Sequence, residues 1–471
     1  MPGNAIRQLV YLTCPLNWVE ALGPRPELAK LGSEVLDRLK LSLTKDELET
    51  VITVGNPTFD YRVVRAPTRP VAGVVQFLFT DAHVLGSFFD AVARGGVAVK
   101  MGADHRIGTT VHVDYCCPVG AGVTYGNRKA ALAQINAAAL QAQGAKPLLD
   151  GAGVNVVIVD RGIDKNGAAK GHYGDGWTYT PHYAWDPVTI SPGTATGERA
   201  AHSEMLIRII QAIAPKVTFF DLPLLPPSID DVPKFLSDAQ LLFAAMPNQI
   251  DAFVQANPSW AGRRWVIVNA WATFDLRTDL PPARYADNPN HPFCLAVKAA
   301  VAGVVTSGPN TGNANPTDIV FAAGNCGQFC PDDRCGPADI GHGRSISGAN
   351  SLEDVLTVGA VRADGLPLGY SSQGPGMIQN TVKPDLCAPA HFCDDNDPGW
   401  MSTGTSAACA VAAGVVAALR TAPVTGPQKV GTNVSPATLI AELRSSAGGT
   451  YDPQFGCGML NADAARLALG I

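Results

Sequence analysis

Charge is scarce in this chain: Asp, Glu, Lys and Arg make up 16% of its 471 residues, against 46% hydrophobic ones. So small a charged fraction excludes a self-repelling disordered chain and argues for a folded protein with a large core. A basic surplus is also missing. The net charge is −6 and no Lys/Arg cluster stands out, so the electrostatic footprint of a nucleic-acid binder is absent. No apolar run approaches the ~20 residues that span a bilayer, the longest run of small apolar residues being 409–419. The opening Met1-Pro2-Gly3-Asn4-Ala5-Ile6-Arg7 lacks the layout of a secretory leader. The expectations are therefore no nucleic-acid partner, no membrane and a cytoplasmic location. Eleven cysteines are an odd number, so at least one thiol is free or shared between chains, and without a leader the expectation is reduced thiols that pack as small hydrophobes.

Glycine and proline, by contrast, are abundant, with 48 and 36 residues. They predict many loops, and the length predicts two domains or one large α/β domain with an appendage. Four stretches carry chemistry. Ser402-Thr403-Gly404-Thr405-Ser406-Ala407-Ala408 runs into Cys409-Ala410-Val411-Ala412-Ala413-Gly414-Val415-Val416-Ala417-Ala418-Leu419. The latter reads as a helix buried on all sides, which puts Ser406 at a helix N-terminus. Unpaired N–H groups and the positive end of the helix dipole there suit an oxyanion, so Ser406 can be a nucleophile. Its plainer reading is an N-cap on a core helix.

Asn155-Val156-Val157-Ile158-Val159-Asp160 is an apolar strand closing on a carboxylate, where parallel sheets put their sites. Residues 205–213 read as a helix opened by His202, followed by Pro215 and a strand over 216–222. His172 and His182 lie nearby but precede no periodic apolar stretch, and read as loop residues. Asp318-Ile319-Val320-Phe321-Ala322-Ala323-Gly324-Asn325 is a second apolar strand, ending in an amide.

Gly404-Thr405-Ser406-Ala407 resembles the nucleophile motif of the subtilisin-like serine peptidases. Asp160, His202 and Ala322-Ala323-Gly324-Asn325 resemble that family's other motifs, in the family's order. Arg161, Ser203-Glu204 and Trp271 depart from it. Lys383-Pro384-Asp385-Leu386-Cys387-Ala388-Pro389, Tyr370-Ser371-Ser372-Gln373-Gly374, residues 352–362 and the short helix near Gln134 extend the similarity over about residues 125–471. The resemblance implies an α/β fold with a doubly wound, mostly parallel sheet, and a serine endopeptidase acting on proteins or peptides. Asp160, His202 and Ser406 would be catalytic and Asn325 would serve the oxyanion hole. Asn269, Ala270, Trp271, Ala322, Ala323 and Gly324 would bind substrate, as an added strand near Asn269 and Ala322. Trp271 would either narrow the pocket or pack inward. A catalytically silent scaffold, or an esterase or amidase using the same triad, are the alternatives.

The chemistry requires no cofactor or metal. The acidic run Asp394-Asp395-Asn396-Asp397 leaves structural calcium open, a solvated loop being the plainer reading. Cys326, Cys330 and Cys335, beside Asp332, Asp333 and His342, read as a disulfide loop or a zinc site whose spacing fits no common zinc motif. Residues 1–120 stand outside the peptidase pattern. Strands are expected over 8–14, 73–80, 97–100 and 109–115, with helices over 26–40 and 81–94. This makes a smaller N-terminal α+β domain, read either as a prosegment in contact with the groove or as a regulatory or recognition module.

Overall fold

The computed structural model describes residues 5–14, 60–63, 73–81 and 99–102, then 125–471 except 142–147, 176–190, 227–231, 275, 277–278, 280–283, 314, 330, 333, 337, 396–399 and 422–433. The chain divides into two units, Met1–Pro118 and Val119–Ile471.

In the first unit β1 (Ala5–Cys14), β2 (Asp60–Val63), β3 (Gly73–Asp81) and β4 (Val99–Gly102) form an antiparallel sheet in the order β2-β3-β1-β4. β2 was not legible in the sequence. The helix expected over 26–40, the strand over 109–115 and residues 82–94 of the other helix lie outside the described residues.

The second unit is built on an eight-stranded sheet. Its strands are β5 (Val154–Asp160), β6 (Thr218–Pro223), β7 (Arg264–Asn269), β8 (Thr317–Ala322), β9 (Leu356–Val361), β10 (Leu386–Pro389), β11 (Gly448–Asp452) and β12 (Gly456–Gly458). Their order is β11-β12-β10-β9-β8-β7-β5-β6, parallel from β6 to β10 and antiparallel in the last two pairs. Burial on both faces explains the uninterrupted apolar strands. Val157, Val159, Phe220, Leu222, Trp265, Ile267, Ile319 and Phe321 point to one face, the side-chain period being two. There they meet α3 (Val232–Ala256) and α4 (Pro292–Ala302). Against the other face run α2 (Glu198–Ile213) and α5 (Gly404–Leu419), and the short α1 (Arg128–Gln134) precedes β5 in the chain.

Two elements differ from expectation. α3 runs unbroken through Pro247, where the sequence suggests two segments. An internal proline costs about 3 kcal/mol. Burial of Leu242, Phe243, Met246, Ile250 and Phe253 on the same helix, at about 1.5–3 kcal/mol each, outweighs it. α2 begins at Glu198, four residues before His202: its polar first turn carries no apolar period to mark it in the sequence, but Glu198 suits the positive end of the helix.

Helix α5 is made of small residues for a geometric reason. A Cβ on Gly414 would fall 2.9 Å from Ile213 Cδ1, 3.1 Å from Ile213 Cβ and 3.4 Å from Ile210 Cα. Only a side chain that is absent lets α2 approach α5 so closely.

Candidate active site

Parallel strands place their C-terminal ends along one rim, and the site assembles there. Asp160 is the last residue of β5 and is 1% exposed. Ala270 follows the last residue of the neighbouring strand β7, and Asn325 lies three residues past the end of β8. From the helical side come His202, in the second turn of α2, and Ser406, the third residue of α5.

Asp160 accepts two hydrogen bonds. The N–H of Arg161 donates to Oδ1 at 2.7 Å, and Nδ1 of His202 lies 2.5 Å from Oδ2. A carboxylate can only accept, so Nδ1 carries the proton and Nε2 is left free as a base. Burial pulls the imidazole's pKa down, but the charge of Asp160 and its hydrogen bond together raise it above the ordinary 6.5. Arg161 and Arg334 pull in the downward sense. Burial is the largest single influence on the ring, and it is the sum of the Asp160 charge and its hydrogen bond that prevails over it.

Ser406 Oγ donates to the carbonyl oxygen of Ala270 at 2.8 Å, and no hydrogen bond joins it to His202. Ile158 of β5 is in register with Val268 of β7, so Asp160 and Ala270 extend side by side on adjacent strands. The hydroxyl therefore rests on the strand next to the one carrying the acid. A turn about its Cα–Cβ bond re-aims it.

Asn325 is fixed by its neighbour. Both the N–H and the hydroxyl of Thr405 donate to its Oδ1, each at 2.9 Å. Because a backbone N–H can only donate, this assigns the amide orientation and leaves Nδ2 as a donor beside the N-terminus of α5. The Thr405 hydroxyl in turn accepts from Gly324 N–H at 3.1 Å. Gly404 has φ +72°, and a Cβ there would come 3.1 Å from Asn325 Nδ2. Glycine is thus required both for its backbone and for the space it leaves.

The residues expected to bind substrate follow the ends of two paired strands: β7 pairs with β5 as far as Val268 and with β8 as far as Asn269, and β8 pairs with β9 as far as Ala322. Asn269 is fully buried, Ala322 and Trp271 give their carbonyls to Asn350 Nδ2 at 2.8 and 3.1 Å, and Ala323 N–H donates to Val358. Gly324 N–H is bound by Thr405 and its carbonyl by Ser372 N–H. Trp271 packs inward, 6% exposed, against Phe235, Phe293 and Phe321.

Cys326 and Cys335 form a disulfide directly after Asn325, the first of the two readings of this loop and an exception to the general expectation of reduced thiols. Cys330 lies outside the described residues. Cys294, Cys387 and Cys409 are free and buried, as small hydrophobes would be. Among the described residues no group of three or more His, Cys, Asp or Glu is arranged to hold a metal. Asp394 is bound by Arg128 at 2.9 Å and Asp395 accepts from Lys129 N–H, so two of the three acids of the candidate calcium loop already have partners, and Asp397 lies outside the described residues. His172 donates its N–H to Ala169 O in a turn and accepts Phe219 N–H of β6 at its carbonyl, while His182 lies outside the described residues. No helix among the described residues is long and apolar enough to cross a membrane. Sequence reasoning missed Thr405 and Asn350 as supports. Thr405 was in the quoted motif, whereas nothing marked Asn350.

The sheet and its flanking helices define a subtilisin-like α/β protein. Residues 233–459 match the model of the subtilase family. The matched stretch holds Asn325 and Ser406 and begins after Asp160 and His202. No curated protein matches the chain. Among solved structures it is similar to MycP1 from the ESX-1 type VII secretion system, at 19% identity over 74% of this chain and 87% of that one, with a TM-score of 0.46. It is also similar to a serine protease of Aeromonas sobria, at 15% over 78% and 71%, TM-score 0.47. A lanthipeptide protease matches at 15% over 73% and 99%, TM-score 0.46. These three likenesses are too loose to carry an argument about substrate.

Proposed function

We propose that the chain is a serine endopeptidase whose triad is Asp160, His202 and Ser406, with Asn325 and the N–H of Ser406 binding the oxyanion. The observation that carries this reading is the 2.5 Å contact between His202 Nδ1 and the buried Asp160 carboxylate, beside the strand end where Ser406 rests. In the reaction, Ser406 Oγ bonds to the carbonyl carbon as His202 Nε2 takes its proton. The oxygen's new charge is met by Asn325 Nδ2 and the helix N-terminus. The C–N bond then breaks as Nε2 passes the proton to the departing amine. Water repeats the sequence, releasing the acid and restoring the hydroxyl. Asp160 stabilises the imidazolium in both halves. The substrate is a protein or peptide, and the chemistry needs no metal.

The contact between Ser406 and Ala270 favours a second reading, in which the hydroxyl stays engaged and the fold serves as a scaffold. A fluorophosphonate probe separates the two. The peptidase reading expects covalent labelling at Ser406, located by peptide mass spectrometry and abolished in Ser406→Ala. A folded chain that is never labelled, or is labelled elsewhere, overturns it. Comparing peptide amides with simple esters as substrates then separates an endopeptidase from an esterase.

A further inference from the structure

Strand β6 carries a carboxylate that this chemistry does not use. Asp221 is fully buried within the apolar run Thr218–Pro223, in register with Ile158 of β5. An ionisable group in such a place costs several kcal/mol unless it is bound, so its partners are informative. Oδ2 accepts the N–H of Ile163 at 2.9 Å and the N–H of Gly193 at 2.7 Å. Ile163 stands three residues past Asp160. Gly193 stands four residues before Gly197, which caps the helix bearing His202. These two stretches also bond directly, through Ala195 N–H to Ile163 O at 3.1 Å and Lys165 N–H to Gly193 O at 3.3 Å.

We infer that Asp221 is a positioning residue: it fastens the turn that leaves Asp160 to the loop that delivers His202, and so sets the distance between the acid and the imidazole. The inference rests on the triad reading above. Both members of the 2.5 Å contact are mounted on segments whose amides converge on one oxygen atom.

The second oxygen tells the same story. Among the described residues Oδ1 has no hydrogen-bond partner. Burial pushes the Asp221 carboxyl up to about 7, the two N–H bonds pull the other way, and the charge of Asp160 adds to the rise while that of Arg199 opposes it. Asp221 in turn contributes, after burial itself, to raising the Tyr173 hydroxyl. A proton therefore fits on Oδ1 without disturbing either bond to Oδ2, and the fastening holds in both charge states. It also follows that asparagine can replace this residue, its amide oxygen taking both N–H groups, whereas alanine cannot.

The test uses the full chain and three variants, Asp221→Asn, Asp221→Ala and Asp221→Glu. It reads kcat and KM on a peptide substrate, the rate of fluorophosphonate labelling at Ser406, and the far-downfield proton resonance of His202 Nδ1–H. The alanine and glutamate variants are expected to lose about ten- to hundredfold in kcat, the scale of a sub-ångström misplacement. KM should stay within about twofold, and the resonance should weaken. The asparagine variant should keep kcat within about threefold and keep the resonance. If alanine does not fold, glutamate, with its oxygen displaced by one methylene, carries the test. Wild-type kcat and resonance in the folded alanine or glutamate variant overturn the inference, as does an asparagine variant as slow as alanine. Failure of the unaltered chain to label at Ser406 is a different result and sinks the triad reading instead.

Discussion

Thr405 bonds twice to the same atom of Asn325, its N–H and its hydroxyl each meeting Oδ1 at 2.9 Å. The arrangement turns the amide's donor end toward the groove and gives the threonine before the nucleophile a task of its own. Thr405→Val removes one of the two bonds and strips the buried Gly324 N–H of its acceptor. It should lower kcat about tenfold with KM little changed, and destabilise by about 1–3 kcal/mol. Thr405→Ser should restore both. Asn325→Ala should lose roughly 10²–10³ in kcat. Steady-state kinetics with urea unfolding checks each value.

The pH profile follows from the sign of the His202 shift. The base must be neutral, and its pKa lies above 6.5 because Asp160 outweighs burial. Hence kcat/KM should rise with pH through a value above 6.5. Arg334 pulls that value down, so Arg334→Ala should move the acid limb to higher pH. The same shift bears on stability. A group whose folded pKa is raised stabilises fully below its unfolded value, and the contribution fades as pH climbs through the folded value. An acid limb that stays put in Arg334→Ala would contradict the assignment of His202 as the base.

Stability of the nucleophile helix rests on a buried ion pair at its far end. Arg420 caps α5 and binds Asp318 of β8 with two parallel bonds of 2.7 Å each, while a third N–H reaches Val434 O. Removing one partner strands the other charge, so Arg420→Ala should cost about 3–5 kcal/mol. Replacing both residues by apolar ones should cost much less. Chemical denaturation of the single and double variants measures the difference.

Close approach of α2 and α5 predicts a size threshold at Gly414. A methyl there already crowds Ile213 Cδ1 and Cβ and approaches the backbone at Ile210, so Gly414→Ala should fall at the low end of the roughly 1–3 kcal/mol that overpacking costs. Gly414→Val, with two further methyl groups in the same space, should fall at the high end. Because those two helices carry His202 and Ser406, kcat should fall together with the melting temperature, which thermal unfolding and kinetics on one preparation would reveal.

The strands that end near Asp160 and Asn325 and the helix that begins near Ser406 were legible as apolar runs, while the fold class came from the family resemblance those motifs carry. His202 needed the family's order of motifs as well, since its helix starts on polar residues that carry no period. Trp271 could not be oriented beforehand, as an aromatic leaving a strand packs either way until the opposite layer is known. The spacing of Cys326 and Cys335 left disulfide and zinc both open. Asp221 gave a signal, a carboxylate within Thr218–Pro223, but its two amide partners are 58 and 28 residues away in sequence. The continuity of α3 through Pro247 is a tertiary outcome that local propensity opposes.

The smallness of the side chains behind Ser406 also limits how such an enzyme can diversify. Residues 407–419 are all buried, so mutational drift there has almost no room to explore without dislodging the hydroxyl. New preferences among substrates must then arise in the surface connections around the rim, where insertions do not reach the helix. A lineage built on this plan would vary at its mouth while its backbone of alanine, glycine and valine stayed nearly fixed.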